Sequence, residues 1–322
     1  MRILLVKTSS LGDVIHNLPV AADLARQFPG IEIDWCVEEA FADIPRLSPV
    51  VREVIPVAVR RWRKTLLDGR TWREIGALRR RLRGGGYDTV LDTQGLLKSA
   101  LIAAQASGRR LGHDRNSARE PLAARFYDAG FAVPTELHAV DRNRRLAAAA
   151  FGYTPPAPVD YGIAAPPFAA PWLPDGRIAV LLTATSRDDK LWPEENWIAL
   201  GRELAARGLT PVLPAGNPVE RARAQRITEA IAAAAPGAVA APPLSIRDLA
   251  GVLGRASLAV GVDTGLAHLA AALQIPTVAI YTATEPALTG VVGAGFARNL
   301  GGTGRPPAVG EVLATAETAL RH

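Results

Sequence analysis

The sequence predicts an α/β protein made of two doubly wound, Rossmann-like domains. Three observations carry this. Short β-branched runs alternate with segments of helical period, a proline-rich stretch interrupts the alternation near the middle, and the same alternation restarts after it. The length of 322 residues also exceeds the size, about 250–300 residues, at which single hydrophobic cores stop growing.

Taken in order, the run at 3–7 is the first strand, and Val14, Leu18, Ala21 and Ala25 recur at helical spacing after it, predicting a helix over 13–28. Strands follow at 31–37 and 87–92, with a helix at 96–106. Arg79, Arg80, Arg81 and Arg83 read as the cationic end of a helix, where they complement its dipole, and Gly84, Gly85 and Gly86 as its stop. Seven prolines from Pro155 to Pro174 disfavour regular structure and mark a linker. The domains are therefore expected at 1–160 and 161–322, with the final helix a candidate to pack back on the first. The second half offers strands at 178–182, 210–213, 258–262 and 277–281, and helices at 193–207, 218–234 and 265–273. Ligands of open α/β sheets sit beyond the carboxyl ends of the strands, so two facing domains of this kind are expected to form an interdomain cleft.

Composition narrows the class. With 48% hydrophobic and 21% charged residues the chain is ordinary globular material. Its single cysteine, Cys36, leaves no internal disulfide, and the apolar run at 3–6 is shorter than the roughly 7 residues of a signal-peptide core. No stretch approaches the roughly 20 apolar residues of a membrane span. A cytoplasmic protein with at most peripheral membrane contact is expected. The net charge of +6 is concentrated between Arg60 and Arg83, where ten Lys or Arg face two acids, a local +8 that leaves −2 for the rest. Such a surface suits a polyanionic partner.

Four strand-ending loops could carry chemistry. In TSSLGD after the first strand, Gly12 allows a tight turn, and Asp13 stands at or next to a helix N-cap, which leaves helix capping and catalysis both open. His16, one turn on, reads as packing or as a support behind the site rather than as a ligand. In VDTGLAH, Asp263, Thr264 and Gly265 open a helix whose free N–H groups suit a diphosphate, with His268 one turn away. In TATSRDDKLWP, Thr185, Ser186, Arg187 and Lys190 can neutralise a phosphate leaving group, unless Arg187 and Lys190 simply pair with Asp188 and Asp189. In GNPVE, Glu220 can accept from ribose hydroxyls. The basic run Arg60, Arg61, Trp62, Arg63, Lys64 can bind phosphates or carboxylates, with Trp62 against an apolar or sugar surface. Walker A, G-x-S-x-G, zinc-spaced His/Cys and G-x-G-x-x-G patterns are all absent from the sequence, which disfavours P-loop, metallohydrolase and hydride chemistries.

Together VKTSSLGDVIHNLP, DWCVEEAF, IPVAVRRWRK, DTQGLLKSA, SAREPLA, TSRDDKLWPEENW and VDTGLAHLAAAL resemble the inverting bacterial heptosyltransferases over nearly the whole chain, and RRWRK with SAREPLA point to the lipopolysaccharide heptosyltransferase I type. The resemblance implies a GT-B fold and transfer of L-glycero-D-manno-heptose from ADP-heptose, a substrate rather than a cofactor, to the Kdo of Kdo2-lipid A. It implies Asp13 as general base and Lys190 with Thr185 and Ser186 at the diphosphate. Asp263, Thr264, Gly265 and His268 fall in the donor loop, Glu220 at the ribose and Leu244 near the adenine. Arg60, Arg61, Arg63, Lys64, Lys98 and Arg119 would face the anionic acceptor. No metal, cofactor or nucleic acid is implied, a monomer is the default expectation, and the place of work is the cytoplasmic face of the inner membrane. The rival readings are a heptosyltransferase II-type enzyme with a heptosyl acceptor and a nucleotide- or polyanion-binding module.

Overall fold

The computed structural model describes residues 1–234 and 237–322. The chain divides into two compact units, Met1–Gly162 and Ile163–His322. The first holds β1 (Arg2–Val6), β2 (Glu32–Glu38), β3 (Val51–Val57), β4 (Thr89–Asp92), β5 (Arg109–His113) and β6 (Ala129–Phe131), all parallel, in the order β3-β2-β1-β4-β5-β6. The second holds β7 (Ile178–Leu182), β8 (Thr210–Leu213), β9 (Val239–Ala240), β10 (Ala256–Val262), β11 (Thr277–Tyr281) and β12 (Ala297–Gly301), also parallel, in the order β12-β11-β10-β7-β8-β9. Counted from its own first strand, each sheet has the doubly wound order 3-2-1-4-5-6 of dinucleotide-binding folds.

Helices cover the sheets, so the central strands are buried on both faces and read as continuous apolar runs: Ile3 to Val6 and Ile178 to Leu182 are all but inaccessible. In the first unit Leu4, Val6, Cys36, Ile55, Val90 and Trp62 share one core. In the second, Trp192 and Trp197 meet edge to face at 5.1 Å beside Leu181, Val260 and Ile280.

One expectation gives way. The helix expected over 13–28 is two helices, Leu11–Ile15 and Leu18–Gln27, parted at His16 and Asn17. Pro19 is the cause: it lacks an N–H to continue the first helix, and its ring fits only the opening turn of a new one. The final helix, Val309–Ala319, packs within its own unit against helix Glu194–Ala206 and strands β10, β11 and β12. The proline-rich stretch carries no regular element between Phe151 and Ile178.

Candidate active site

In a sheet of this order ligands sit where the strand order reverses, beyond the carboxyl ends of the first and fourth strands. In the first unit the loops after β1 and β4 leave from that point, and in the second the loops after β7 and β10 do. These loops contain the TSSLGD, DTQG, TATSRDDK and VDTG segments.

In the first unit Ser10 is the cap of helix Leu11–Ile15, and Asp13, its third residue, reaches back. Asp13 Oδ2 accepts from both the N–H and the hydroxyl of Ser10, each at 2.9 Å. Gly12 therefore lies inside the helix and not at a turn, and the cap is Ser10 rather than Asp13. Asp13 Oδ1 accepts from Arg119 Nη2 at 2.9 Å. Burial works to raise the Asp13 carboxyl, but the charges of Lys7 and Arg119 and the Ser10 hydrogen bonds outweigh it and hold the group well below the usual carboxylate range.

Lys7 ends the first strand's run into the loop. Its Nζ donates to the Thr93 carbonyl at 3.0 Å and to Asn143 Oδ1 at 3.2 Å, and it is only 3% exposed. Burial pushes it down to about 8, against the pull of Asp13. Gln94 clamps the loop: its Oε1 accepts from Thr8 N–H and hydroxyl, both at 2.7 Å, and its Nε2 donates to the Ser9 carbonyl at 3.0 Å. His113, also buried, is pushed down to about 3, first by desolvation and then by the charges of Arg142 and Lys7, so the ring is neutral at physiological pH. Lys7, Asp13, Gln94, His113, Arg119 and Arg142 line one cavity.

Arg119 is brought there by a loop-to-loop contact. Gly95 has φ of +67°, its carbonyl accepts from Glu120 N–H at 3.0 Å, and a Cβ on it would meet Arg119 N at 3.3 Å and the His113 ring at the same distance. Only glycine fits comfortably in that conformation at that closeness.

The remaining basic candidates divide. Lys98 Nζ donates to Ser9 Oγ at 2.7 Å, next to Asp13, and is shifted downward by desolvation, with Arg60 and Arg63 adding to the shift. Arg60 lies with its guanidinium 5.0 Å over the Phe41 ring. Arg61 is committed to Glu39 at 3.2 Å and Glu74 at 2.9 Å. Trp62 packs into the apolar core with Nε1 donating to Glu74 at 2.8 Å. Arg63 and Lys64 are exposed and have no ion pair among the described residues.

In the second unit Lys190 pairs with Asp263, Nζ to Oδ2 at 2.6 Å, and the same oxygen accepts from Thr284 Oγ1 at 2.7 Å. Thr185 Oγ1 donates to the Asp263 carbonyl at 2.8 Å. Arg187 pairs with Asp189, as its neighbours in sequence allow, whereas Lys190 reaches across to the VDTG loop. Thr264 caps helix Gly265–Ala272, where Gly265 is the first residue and His268 is buried a turn further on. Ser186 is exposed beside them. Glu220 is the third residue of helix Pro218–Ala232 and closes a capping box: Oε1 accepts from Asn217 Nδ2 at 2.7 Å and Oε2 from Gly216 N–H at 2.8 Å. Leu244 is half-buried in the loop after β9. The second unit thus gathers Thr185, Lys190, Asp263 and Thr264, with Glu220 held by its own helix cap.

The family model for glycosyltransferase family 9 (heptosyltransferase) matches residues 75–305, more than half of the chain. The chain belongs to glycosyltransferase family 9, the heptosyltransferases. Among the curated proteins in that family, it is 46% identical over 303 residues to lipopolysaccharide heptosyltransferase 1 of Pseudomonas aeruginosa, covering 91% of this chain and 82% of that one. It is 45% identical to the protein of the same name from Escherichia coli K12, covering 91% of each. The solved structure described as E. coli heptosyltransferase WaaC with ADP superposes with a TM-score of 0.90 at 41% identity, over 99% of this chain and 100% of that one. E. coli ADP-heptose heptosyltransferase II superposes at 0.76 with 21% identity, a likeness of fold. As a family 9 protein the chain is a glycosyltransferase with the two Rossmann-like domains of the GT-B fold.

Sequence reasoning missed Lys7, Gln94, His113, Arg142, Asn143 and Thr284. Gln94 stood inside a quoted motif, and Lys7 stood at the end of the first strand, the position where sheet chemistry gathers. Asn143 is 136 residues from the lysine it holds, a pairing that no local pattern encodes.

Proposed function

We propose that this chain transfers L-glycero-D-manno-heptose from ADP-heptose to the Kdo of Kdo2-lipid A, with inversion, in assembling the lipopolysaccharide inner core. The observation that carries this reading is an ionised Asp13 in a cavity where Lys7, Arg119 and Arg142 outnumber it. A base placed among surplus cations suits an anionic acceptor such as a sugar acid. The relatives support the substrates: four named lipopolysaccharide heptosyltransferase 1 are 44–46% identical, and one related structure is described as WaaC with ADP-2-deoxy-2-fluoro heptose.

In this mechanism Asp13 takes the proton of the acceptor hydroxyl as its oxygen attacks the anomeric carbon, and the bond from that carbon to the β-phosphate oxygen breaks. The oxygens of Asp13 are not equivalent. Oδ2 already accepts twice from Ser10, whereas Oδ1 accepts once from Arg119, so Oδ1 has the open acceptor position. Lys190 and the N–H groups at the start of helix Gly265–Ala272 stabilise the departing ADP, with Thr185 and Ser186 beside them. Asp263 orients Lys190, Glu220 meets the ribose, Leu244 borders the adenine and His268 supports the donor loop. Arg60, Arg61, Arg63, Lys64, Lys98 and Arg119 serve the acceptor, Arg61 through its pairing with Glu39 and Glu74. The first unit is thus the acceptor domain and the second the donor domain. The enzyme works at the cytoplasmic face of the inner membrane; among the described residues no helix is long and apolar enough to cross one.

The test is to incubate the protein with ADP-heptose and de-acylated Kdo2-lipid A and weigh the products. One added heptose and equimolar ADP are expected. An unchanged acceptor, or heptose added only to an acceptor that already bears one, would reject the assignment.

A further inference from the structure

Three of the large hydrophobic side chains most exposed to solvent fall within seven positions of each other: Leu66 at 52%, Leu67 at 104% and Trp72 at 58%. Looseness of the chain does not account for this. Trp72 Nε1 donates to the Leu66 carbonyl at 2.8 Å, the hydroxyls of Thr65 and Thr71 meet at 2.8 Å, Asp68 N–H donates to the Thr65 carbonyl at 3.0 Å, and the Asp68 side chain caps helix Gly69–Arg83 through Arg70 N–H at 2.8 Å. The segment is a hydrogen-bonded knuckle built on the first turn of that helix, and it holds its leucines outward.

The surroundings are cationic. Residues 60–83 carry the local +8. Arg63, Lys64 and Arg73 are exposed beside the knuckle without an ion pair among the described residues, and Arg79, Arg80 and Arg83 extend the same exposed helix. An apolar tip with a tryptophan, ringed by unpaired cations, matches a membrane interface: leucine enters the acyl boundary, the indole sits at headgroup level, and the cations meet anionic headgroups.

We propose that Leu66, Leu67 and Trp72 form an insertion knuckle by which the first domain docks on an anionic phospholipid bilayer, with Arg73 against the headgroups. This deepens the reading above, in which the acceptor is lipid-borne, by naming the surface that seats the enzyme. The bilayer itself, and not the glycolipid acceptor, is the partner.

The test is flotation of the full chain with vesicles of phosphatidylglycerol mixed into phosphatidylcholine, against phosphatidylcholine alone. Wild type should float with the anionic vesicles at low salt, not with the neutral ones, and be released as salt rises. The double variant Leu66→Gln/Leu67→Gln should bind about tenfold or more weakly, and Arg73→Gln about fivefold more weakly with a flatter salt dependence. The double variant should keep wild-type transfer to de-acylated acceptor and an unchanged unfolding midpoint, because both leucines already face solvent. Failure of wild type to float with anionic vesicles, or equal flotation of the double variant, overturns the proposal. So does a matching loss of transfer to the soluble acceptor, which would assign the leucines to the acceptor site. Vesicle binding without any heptose transfer would instead reject the functional reading and leave the knuckle standing.

Discussion

Arg119 holds Asp13 across 106 residues, Nη2 to Oδ1 at 2.9 Å, and together with Lys7 it keeps that carboxylate ionised despite its partial burial. The same contact makes Asp13 less basic than an isolated carboxylate, so in the proposed mechanism the pairing sets the pH range in which Asp13 can act.

Removing the guanidinium should raise the Asp13 pKa. A base must be deprotonated, so the acid limb of kcat/KM should move to higher pH in Arg119→Gln, with acceptor KM raised as well. A pH profile with saturating donor checks this; an acid limb in the wild-type position would mean that Arg119 only binds acceptor.

Asp13→Asn keeps the shape of the side chain and removes the base. Turnover should fall by about 10²- to 10⁴-fold, while ADP affinity, read by calorimetry, should stay within about twofold of wild type because the ADP-binding candidates lie in the other unit. Wild-type turnover in this variant would end the role of Asp13 as base.

On the donor side, Lys190→Ala should lower kcat by about 10²- to 10³-fold, the usual effect of deleting one group that stabilises developing charge, and weaken ADP. Thr284→Val removes a second donor to Asp263 Oδ2 and should have a smaller effect in the same direction. Single-turnover rates with each variant separate the two contributions.

Lys7 links stability to pH. Its folded value is about 8 and its ordinary value 10.5. Between these the unfolded chain holds a proton that the folded chain has released, so this group makes stability rise with pH from about 8 to about 10.5, by at most about 1.4 kcal/mol per pH unit. Denaturant midpoints of wild type and Lys7→Met across that range should diverge by this slope, and parallel curves would show that Lys7 is not desolvated.

Arg144 and Asp23 form a buried pair, Nε to Oδ2 at 2.7 Å, that ties helix Ala139–Phe151 to helix Leu18–Gln27. Asp23→Ala strands a buried guanidinium and should cost about 3–5 kcal/mol by urea unfolding, whereas exposed Arg70, paired with Glu74 at 3.1 Å, should cost under about 1 kcal/mol when changed to Ala.

Much of this was legible in the sequence because it is local. Strands β7, β8 and β11 fall at 178–182, 210–213 and 277–281, the bounds that apolar runs between turn residues indicate. Doubly wound order then places the loops at Asp13, Thr185 and Asp263 on the ligand edge without any coordinates. Strand β6, three residues reading Ala129, Gly130, Phe131, is too short and too mixed to announce itself, and it exists because β5 offers it an edge to pair with.

The sequence by itself determined the two-domain α/β plan, the position of the strand-ending loops and the placing of a charged segment at 60–83, since each follows from periodicity, turn chemistry or a count of charges. Only the tertiary structure decided which cations those loops meet. Asp13 acquires Arg119 and Lys7, Lys190 acquires Asp263, and Arg61 and Trp62 both meet Glu74. The hydrogen bonds among these join residues 12 to 106 positions apart, and what fixes them is the burial of the sheets that carry them, which no local pattern records.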